Sequence, residues 1–255
     1  MKFSVLGSGS RGNSVYIESG ATGILIDNGF SGKELEKRLR SIGRGLENIK
    51  AICVTHEHTD HVSGVGVVSR RCKVPVHANP GTYEGAEQKL GKLYSLVEFA
   101  TGDELAIGDL QVKSFRISHD TLDPVGYVIS DGTKHLGYCT DTGKVSKLME
   151  LRLARCHGLI LEFNHDPEML KNGPYPLMLK QRVRSSHGHL ANEDAGRFLG
   201  SLVHNSLTVA VLAHLSETNN TPALAMAAAL PHMPAEHPAR LLAAAQDTAT
   251  ELFDI

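Results

Sequence analysis

Residues Cys53–Gly64 read CVTHEHTDHVSG and place His56, His58, Asp60 and His61 within six consecutive positions. All four are metal-ligand side chains. They follow directly on NIKAICVTH (48–56), a nearly continuous apolar run of the kind that forms a strand buried on both faces. On a helix, positions 56 and 58 would point about 200° apart and could not share an ion. In an extended loop leaving a strand they point to one side, and Asp60 and His61 fall at the loop's return, placed for a second ion. HEHTD is a near miss to the H-E-x-x-H zinc helix, but position 60 is Asp rather than His, so that motif is excluded. The plain alternative is a solvated loop rich in histidine. Four ligand-type residues directly behind a buried strand favour metal binding instead.

One such cluster cannot fill two coordination shells, and three other strand ends offer further donors. His119 follows VKSFRIS in SHDTLDPVGY, Asp141 follows HLGYCT in CTDTG, and His214 follows VAVLA in LAHLSETNN. The two oxygens of Asp141 could bridge two ions. Loops at one edge of a rigid sheet are where sites usually form.

Around these motifs the chain alternates short strands with helices. KFSVLG (2–7), SVYIES (14–19) and GILIDN (23–28) read as strands separated by glycine-rich turns. SGKELEKRLRSIG reads as a helix with Ser31 as N-cap, Glu34 placed as in a capping box and Gly43 closing it. Helices are expected over 64–72, 80–90, 144–154, 166–172 and 191–203, and 222–230 is an Ala-rich segment. From Ser95 to Cys139 the pattern is strongly β, and strands follow over 158–164, 206–214, 240–245 and 250–255. No stretch reads as a linker or repeat, so the expectation is one α/β domain over residues 1–255, with helices covering packed sheets.

At 41% hydrophobic residues, 255 residues can bury a large core. No run of about 18 apolar residues exists to cross a membrane, and the start MKFSVLGSGSRGNS lacks the apolar region and cleavage site of a signal peptide. A cytoplasmic protein is expected. Cys53, Cys72, Cys139 and Cys156 are widely spaced without a CxxC pair, which argues against disulfides and against a cysteine zinc site. The net charge of −2 gives no global attraction to nucleic acid or anionic membrane, so a polyanionic substrate needs a local basic patch.

The order H-x-H-x-D-H, then His, Asp and His, resembles the metallo-β-lactamase fold superfamily, and LGSGSRGNSVYIE and GILIDNG resemble its opening strands. SHDTLDPVGY is similar to the third motif of the ribonuclease Z-like branch. LEFNHDPEMLKNGPYPLMLKQRV, GHLANEDAG and LAHLSETNN resemble the YycJ/WalJ subgroup, regarded as metal-dependent 5′-to-3′ DNA exonucleases; Ala191 stands where Ser is expected after GHL. The resemblance runs from Met1 to about Asn220. It implies an α/β fold of the αββα sandwich type, two packed mixed β-sheets flanked by helices with a binuclear site at the sheet edge. It further implies one metal on His56, His58 and His119, another on Asp60, His61 and His214, and Asp141 shared, with Asp60 also taking part in catalysis. Imidazole and carboxylate donors without thiolate suit zinc, with manganese as the other choice. Two ions would turn a bridging water into a hydroxide nucleophile for in-line attack on a phosphodiester, that of DNA first and RNA as the other substrate.

His189, just before a helix capped by Asn192, matches the non-ligand catalytic histidine of the ribonuclease Z-like branch and would assist the leaving group. An ordinary loop histidine is the bland alternative, and His187 lacks the Gly-His-Leu context. His165 in LEFNHDPEML either contacts substrate or lies in a strand-to-helix turn that Asp166 caps and Pro167 opens. KNGPYPLMLKQRVRSS holds Lys171, Lys180, Arg182 and Arg184. It is either a solvated helix face or a phosphate-contacting rim, with Arg182 and Arg184 as the substrate contacts. GSGSRGNS lacks the Gly-Lys-Ser/Thr of a P-loop and reads as a tight turn at the site's edge, from which Arg11 could reach substrate. His77, His135, His157, His204, His232 and His237 read as surface or core residues. Besides the nuclease, two readings stand: the same centre acting on a small phosphodiester, thioester or lactone, and a metal-stabilised scaffold without catalysis, against which the full set of donors argues.

Overall fold

The GSG turn and the Gly20 turn that follows it fold residues 2–26, whose strands are almost wholly buried, into an antiparallel meander. The computed structural model describes residues 1–255. The first half runs β1 (Lys2–Gly7), β2 (Ser14–Ser19), β3 (Thr22–Ile26), α1 (Gly32–Ser41), β4 (Ile49–Cys53), α2 (Thr59–Val62), α3 (Val65–Cys72), β5 (Pro75–Ala78), α4 (Pro80–Leu90) and β6 (Ser95–Glu98). Then come β7 (Glu104–Ile107), β8 (Leu110–Arg116), β9 (Val125–Ser130), β10 (His135–Cys139), α5 (Lys147–Leu153) and β11 (Gly158–Glu162). The chain ends with α6 (Pro167–Asn172), α7 (Leu177–Val183), α8 (Asn192–Leu202), β12 (Val209–Ala213), α9 (Pro222–Ala229), β13 (Arg240–Ala243) and β14 (Phe253–Asp254). No helix is long and apolar enough to cross a membrane.

The strands form two seven-stranded mixed sheets, ordered β14-β1-β2-β3-β4-β5-β6 and β13-β12-β11-β10-β9-β8-β7. Between the sheets lies one apolar layer that includes Phe3, Val5 and Ile24 from the first and Val112, Tyr127, Ile160 and Val211 from the second. A second layer packs α5, α8 and α9 on the outer face of the second sheet, through Met149, Leu153, Phe198 and Ala225. A third packs α1, α3 and α4 on the first sheet, through Leu35, Leu39, Val68 and Ala86. The four layers are helix, sheet, sheet, helix, as the motif order implied.

Register decides where the strand ends fall. β3 pairs parallel with β4, Ile26 opposite Cys53. In the second sheet β10, β11, β12 and β13 are parallel, with Cys139 opposite Leu161 and Glu162 opposite Ala213. Their carboxyl ends therefore share one edge, the place where open α/β sheets bind ligands.

Helix ends correct three expectations in detail. The Ser31 Oγ accepts the Glu34 N–H at 3.2 Å, but the Glu34 carboxylate takes Arg38 instead of closing a capping box. Asn192 is the first residue of α8, not its cap; Ala191 is the N-cap, and the Asn192 amide pairs with that of Asn220. The 144–154 helix starts only at Lys147, because Ser146 caps it.

Candidate metal centre

The loop after β4 enters the site as expected for His56 and His58 and then winds into the one-turn helix α2, which carries Asp60 and His61. Its shape is set from outside. Backbone N–H groups of Asn13 and Asn28 donate to the carbonyls of Asp60 and His61 at 2.8 Å each, and Gly64 N–H returns to Asn28 O. A Cβ on Gly29 would lie 1.9 Å from the Asp60 carbonyl oxygen, so only glycine permits this approach.

Three strand ends turn sharply into the same space. Asp27 follows β3 directly, Asp141 follows β10 after Thr140, His214 follows β12 directly, and all three have positive φ, at 58°, 60° and 55°. That left-handed region is uncommon for residues with a Cβ, and strain of this kind clusters where side-chain aim matters. The turn swings each side chain from strand direction into the shared edge.

The result is a knot of donor atoms. His56, His58 and His119 have ligand atoms within 4.8 Å of one another, and so do Asp60, His61 and His214. His61 Nε2 lies 3.4 Å and His214 Nε2 3.4 Å from the carboxylate of Asp141, and His119 Nε2 lies 3.8 Å from it. Each inner imidazole is held through its far nitrogen. His61 Nδ1–H donates to Asp27 at 2.8 Å and His119 Nδ1–H to the Gly188 carbonyl at 3.0 Å. Thr55 Oγ1 donates to Asp27 at 2.7 Å and so is left to accept His56 Nδ1–H at 3.0 Å. Glu162 holds two rings, His214 Nδ1 at 3.1 Å and His189 Nδ1 at 2.7 Å. A hydrogen bond of this sort fixes the tautomer and turns the other nitrogen's lone pair inward.

Burial makes the arrangement costly without a cation. His56 Nε2, His214 Nε2 and Asp141 Oδ2 are buried with no hydrogen-bond partner, against the usual rule for buried polar atoms. Three convergent unpartnered acceptors of this chemistry fit a divalent cation. The charges show the same tension. Burial and the surrounding imidazoles push His56 well below its ordinary value, and burial followed by His119 lowers His58 to about 4. Burial works against the charge of His61, but Asp141, Asp60 and Asp27 outweigh it and raise the ring to about 9. Burial likewise opposes ionisation of Asp141 and Glu162. His214 and His61 on the one, and His189 and His214 on the other, outweigh it and hold both carboxyls below the usual range.

Residues 22–215 match the model of the β-lactamase superfamily domain. The chain is 37% identical to exodeoxyribonuclease YycJ of Bacillus anthracis over 227 residues, 88% of this chain and 86% of that protein. It is 40% identical to exodeoxyribonuclease WalJ of Streptococcus pneumoniae over 228 residues, 88% and 85% of the two chains. The chain belongs to the metallo-β-lactamase superfamily. Within it, the chain groups with YycJ and WalJ. The same fold is seen in the metallo-β-lactamase fold protein YhfI of Bacillus subtilis, at a TM-score of 0.75, 16% identity and 98% coverage of both chains. The metallo-β-lactamase fold implies divalent metal, and the clustered donors suit it.

Over this metallo-β-lactamase centre opens a cavity of about 410 Å³ lined by His58, Asp60, Asp141, His189 and His214, with Lys89 and Arg182 at its sides. Arg182 is exposed and ion-paired with Asp120, whose other oxygen lies 3.6 Å from His119 Nε2 and 3.7 Å from His58 Nε2. His165 and Arg184 do not join it. They line a separate hollow of about 250 Å³ on the far side of His189. His165 is buried in the strand-to-helix turn, bridged to Ala191, with Asp166 capping α6. Arg11 turns away altogether, since its guanidinium is taken by Glu217 and Asp247, so the expectation that it reaches substrate is not met. The turn that carries it contributes Asn13 instead, whose amide donates to Asp60 Oδ2 at 3.2 Å.

Asp27, Glu162, Asp120 and Lys89 were not singled out from sequence. Asp27 and Glu162 did leave a signal: each is a carboxylate closing an apolar run, GILID and GLILE, in strands that bury every residue. A fully buried acid is rarely left unpaired.

Proposed function

We propose that this chain is a metal-dependent exodeoxyribonuclease working from the 5′ end of DNA, with two divalent ions, zinc before manganese, at the cluster described above. That it is a metallo-β-lactamase-fold nuclease follows from its family and its close relatives. His56, His58 and His119 would hold one ion, Asp60, His61 and His214 the other, and Asp141 both. Divalent ions bound there supply positive charge to the phosphoryl oxygens and lower the pKa of water. The protein's own part is orientation. Asp27, Thr55, Gly188 and Glu162 fix the ligand rings, so that little reorganisation accompanies the reaction.

His189 is the residue this reading places at the leaving oxygen. Its Nδ1–H is spent on Glu162, which leaves Nε2 to pass a proton. His189 lines the cavity, as does Lys89. Asp60, half a turn into α2, contributes both as ligand and by orienting what lies beside His61. Lys89 and Arg182 give a near-neutral protein local cations for flanking phosphates, with His165 and Arg184 as further contacts beyond His189.

The observation that carries the proposal is the set of buried, unpartnered ligand atoms on His56, Asp141 and His214, of which Asp141 and His214 line a cavity flanked by cations. The test is a metal-titrated assay on 5′-phosphorylated single- and double-stranded DNA, with RNA and a simple phosphodiester alongside. Mononucleotide release should be abolished in Asp141→Ala and fall about 10²–10⁴-fold in His189→Ala. Release that survives both substitutions would sink the mechanism. Activity confined to a lactone, thioester or small phosphodiester would move the centre to the small-substrate reading.

A further inference from the structure

α7 is an unusual helix for the rim of a polar site, because none of its seven residues is buried. Leu177 is 70% and Met178 83% exposed. Other apolar side chains stand in solvent, such as Leu148 and Leu151 on α5, but α5 adds nothing to the cavity over the metal cluster. α7 does, through Leu179, Arg182 and Val183. It is also bonded to the catalytic loop, since His189 N–H donates to the Val183 carbonyl at 2.9 Å. Gly188 lies so close that a Cβ there would meet the Arg182 and Val183 carbonyls at 2.2 and 2.3 Å.

The same helix, about two turns long, carries apolar side chains in the first turn and cationic ones in the second. Lys180 and Arg182 follow Leu177 and Met178 by about one-half to one and a half turns, Arg184 caps the helix, and Arg184 has no carboxylate partner. A ligand matched to this surface is polyanionic and has apolar faces along its length. A nucleic-acid strand has both. Cationic grooves with side chains that bases stack on hold single strands, and leucine or methionine can wedge between base steps.

We infer that Leu177 and Met178 form a base-contacting platform for the strand whose phosphodiester enters the metal centre, with the neighbouring cations taking its phosphates. The platform rests on the nuclease reading. It sits on the helix that fixes the His189 loop, so a strand seated on it is registered against the cavity.

The test compares two 5′-phosphorylated single-stranded DNAs, one intact and one with abasic residues at the 5′-terminal positions. Wild-type protein should cleave the intact strand with a kcat/KM of the order of tenfold above the abasic one. In L177S/M178S that ratio should fall close to one, and in L177M/M178L, which keeps the apolar face, it should persist. A ratio in L177S/M178S equal to that of wild type overturns the platform while leaving the nuclease intact. So does an equal loss on both strands, which would assign α7 to the backbone or to support of His189. If wild-type protein hydrolyses bis(p-nitrophenyl) phosphate but neither DNA, the nuclease reading falls and takes the platform with it.

Discussion

Glu162 does the most for the site per atom. Its fully buried carboxylate accepts His189 Nδ1–H, His214 Nδ1–H and the backbone N–H groups of Thr142 and Leu190, at 2.7 to 3.1 Å. It thereby positions the proposed metal donor His214 and the proposed proton-transfer histidine His189 together. Glu162→Gln keeps the shape but turns an amide N–H2 toward some of these donors. Metal affinity should fall about 10–100-fold, and kcat on DNA should fall with it. A chelator-competition titration alongside kcat checks this. Unchanged affinity would mean that Glu162 serves folding alone. Asp27 has the same role for His61 and, through Thr55, for His56.

At the scale of elements, the first sheet is locked to the α1–β4 connection by a small polar cluster. Arg44 pairs with Glu18 of β2, and the Tyr16 hydroxyl donates to the same carboxylate at 2.9 Å. Arg44 is the main reason the Glu18 carboxyl titrates below its ordinary value. A depressed carboxylate contributes stability in full above its unfolded pKa and loses it as the pH falls through the folded one. Glu18→Gln should therefore cost about 1 kcal/mol near pH 7, a difference that shrinks as the pH drops below about 4. Urea unfolding of both proteins across that range measures it. A gap that grows on acidification would contradict the assignment. The strand ends belong to this scale too. Positive φ at Asp27, Asp141 and His214 marks where three strands give way to loops at the shared edge.

At the scale of the molecule, the donors are divided between the two sheets. His56, His58, Asp60 and His61 come from the first, and His119, Asp141 and His214 from the second. The apolar layer between the sheets is therefore what holds the two half-sites at their spacing. Ile160 lies in that layer, fully buried. Ile160→Ala should destabilise by about 2–5 kcal/mol and lower Tm by roughly 2–4 °C per kcal/mol. It should also weaken metal binding without touching a donor. Calorimetry with and without added metal separates the two effects, and full metal affinity at a lowered Tm would show the half-sites to be held by their loops instead.

The sequence by itself determined the candidate donors and their setting: ligand-type residues behind apolar runs, in an order that resembles one superfamily, on strands and helices set by local periodicity. It also marked His189, from its Gly-His-Leu context before a helix. What only the tertiary structure decided is which groups complete the site. Glu162 meets His189 and His214 across 27 and 52 positions of chain, Arg11 is drawn off by Glu217 and Asp247, and Arg182 and Arg184 part to opposite sides of His189. The reason is physical. Strand and helix periods depend on near neighbours and can be read along the chain, whereas burial, charge pairing and side-chain aim depend on residues that only folding brings within reach.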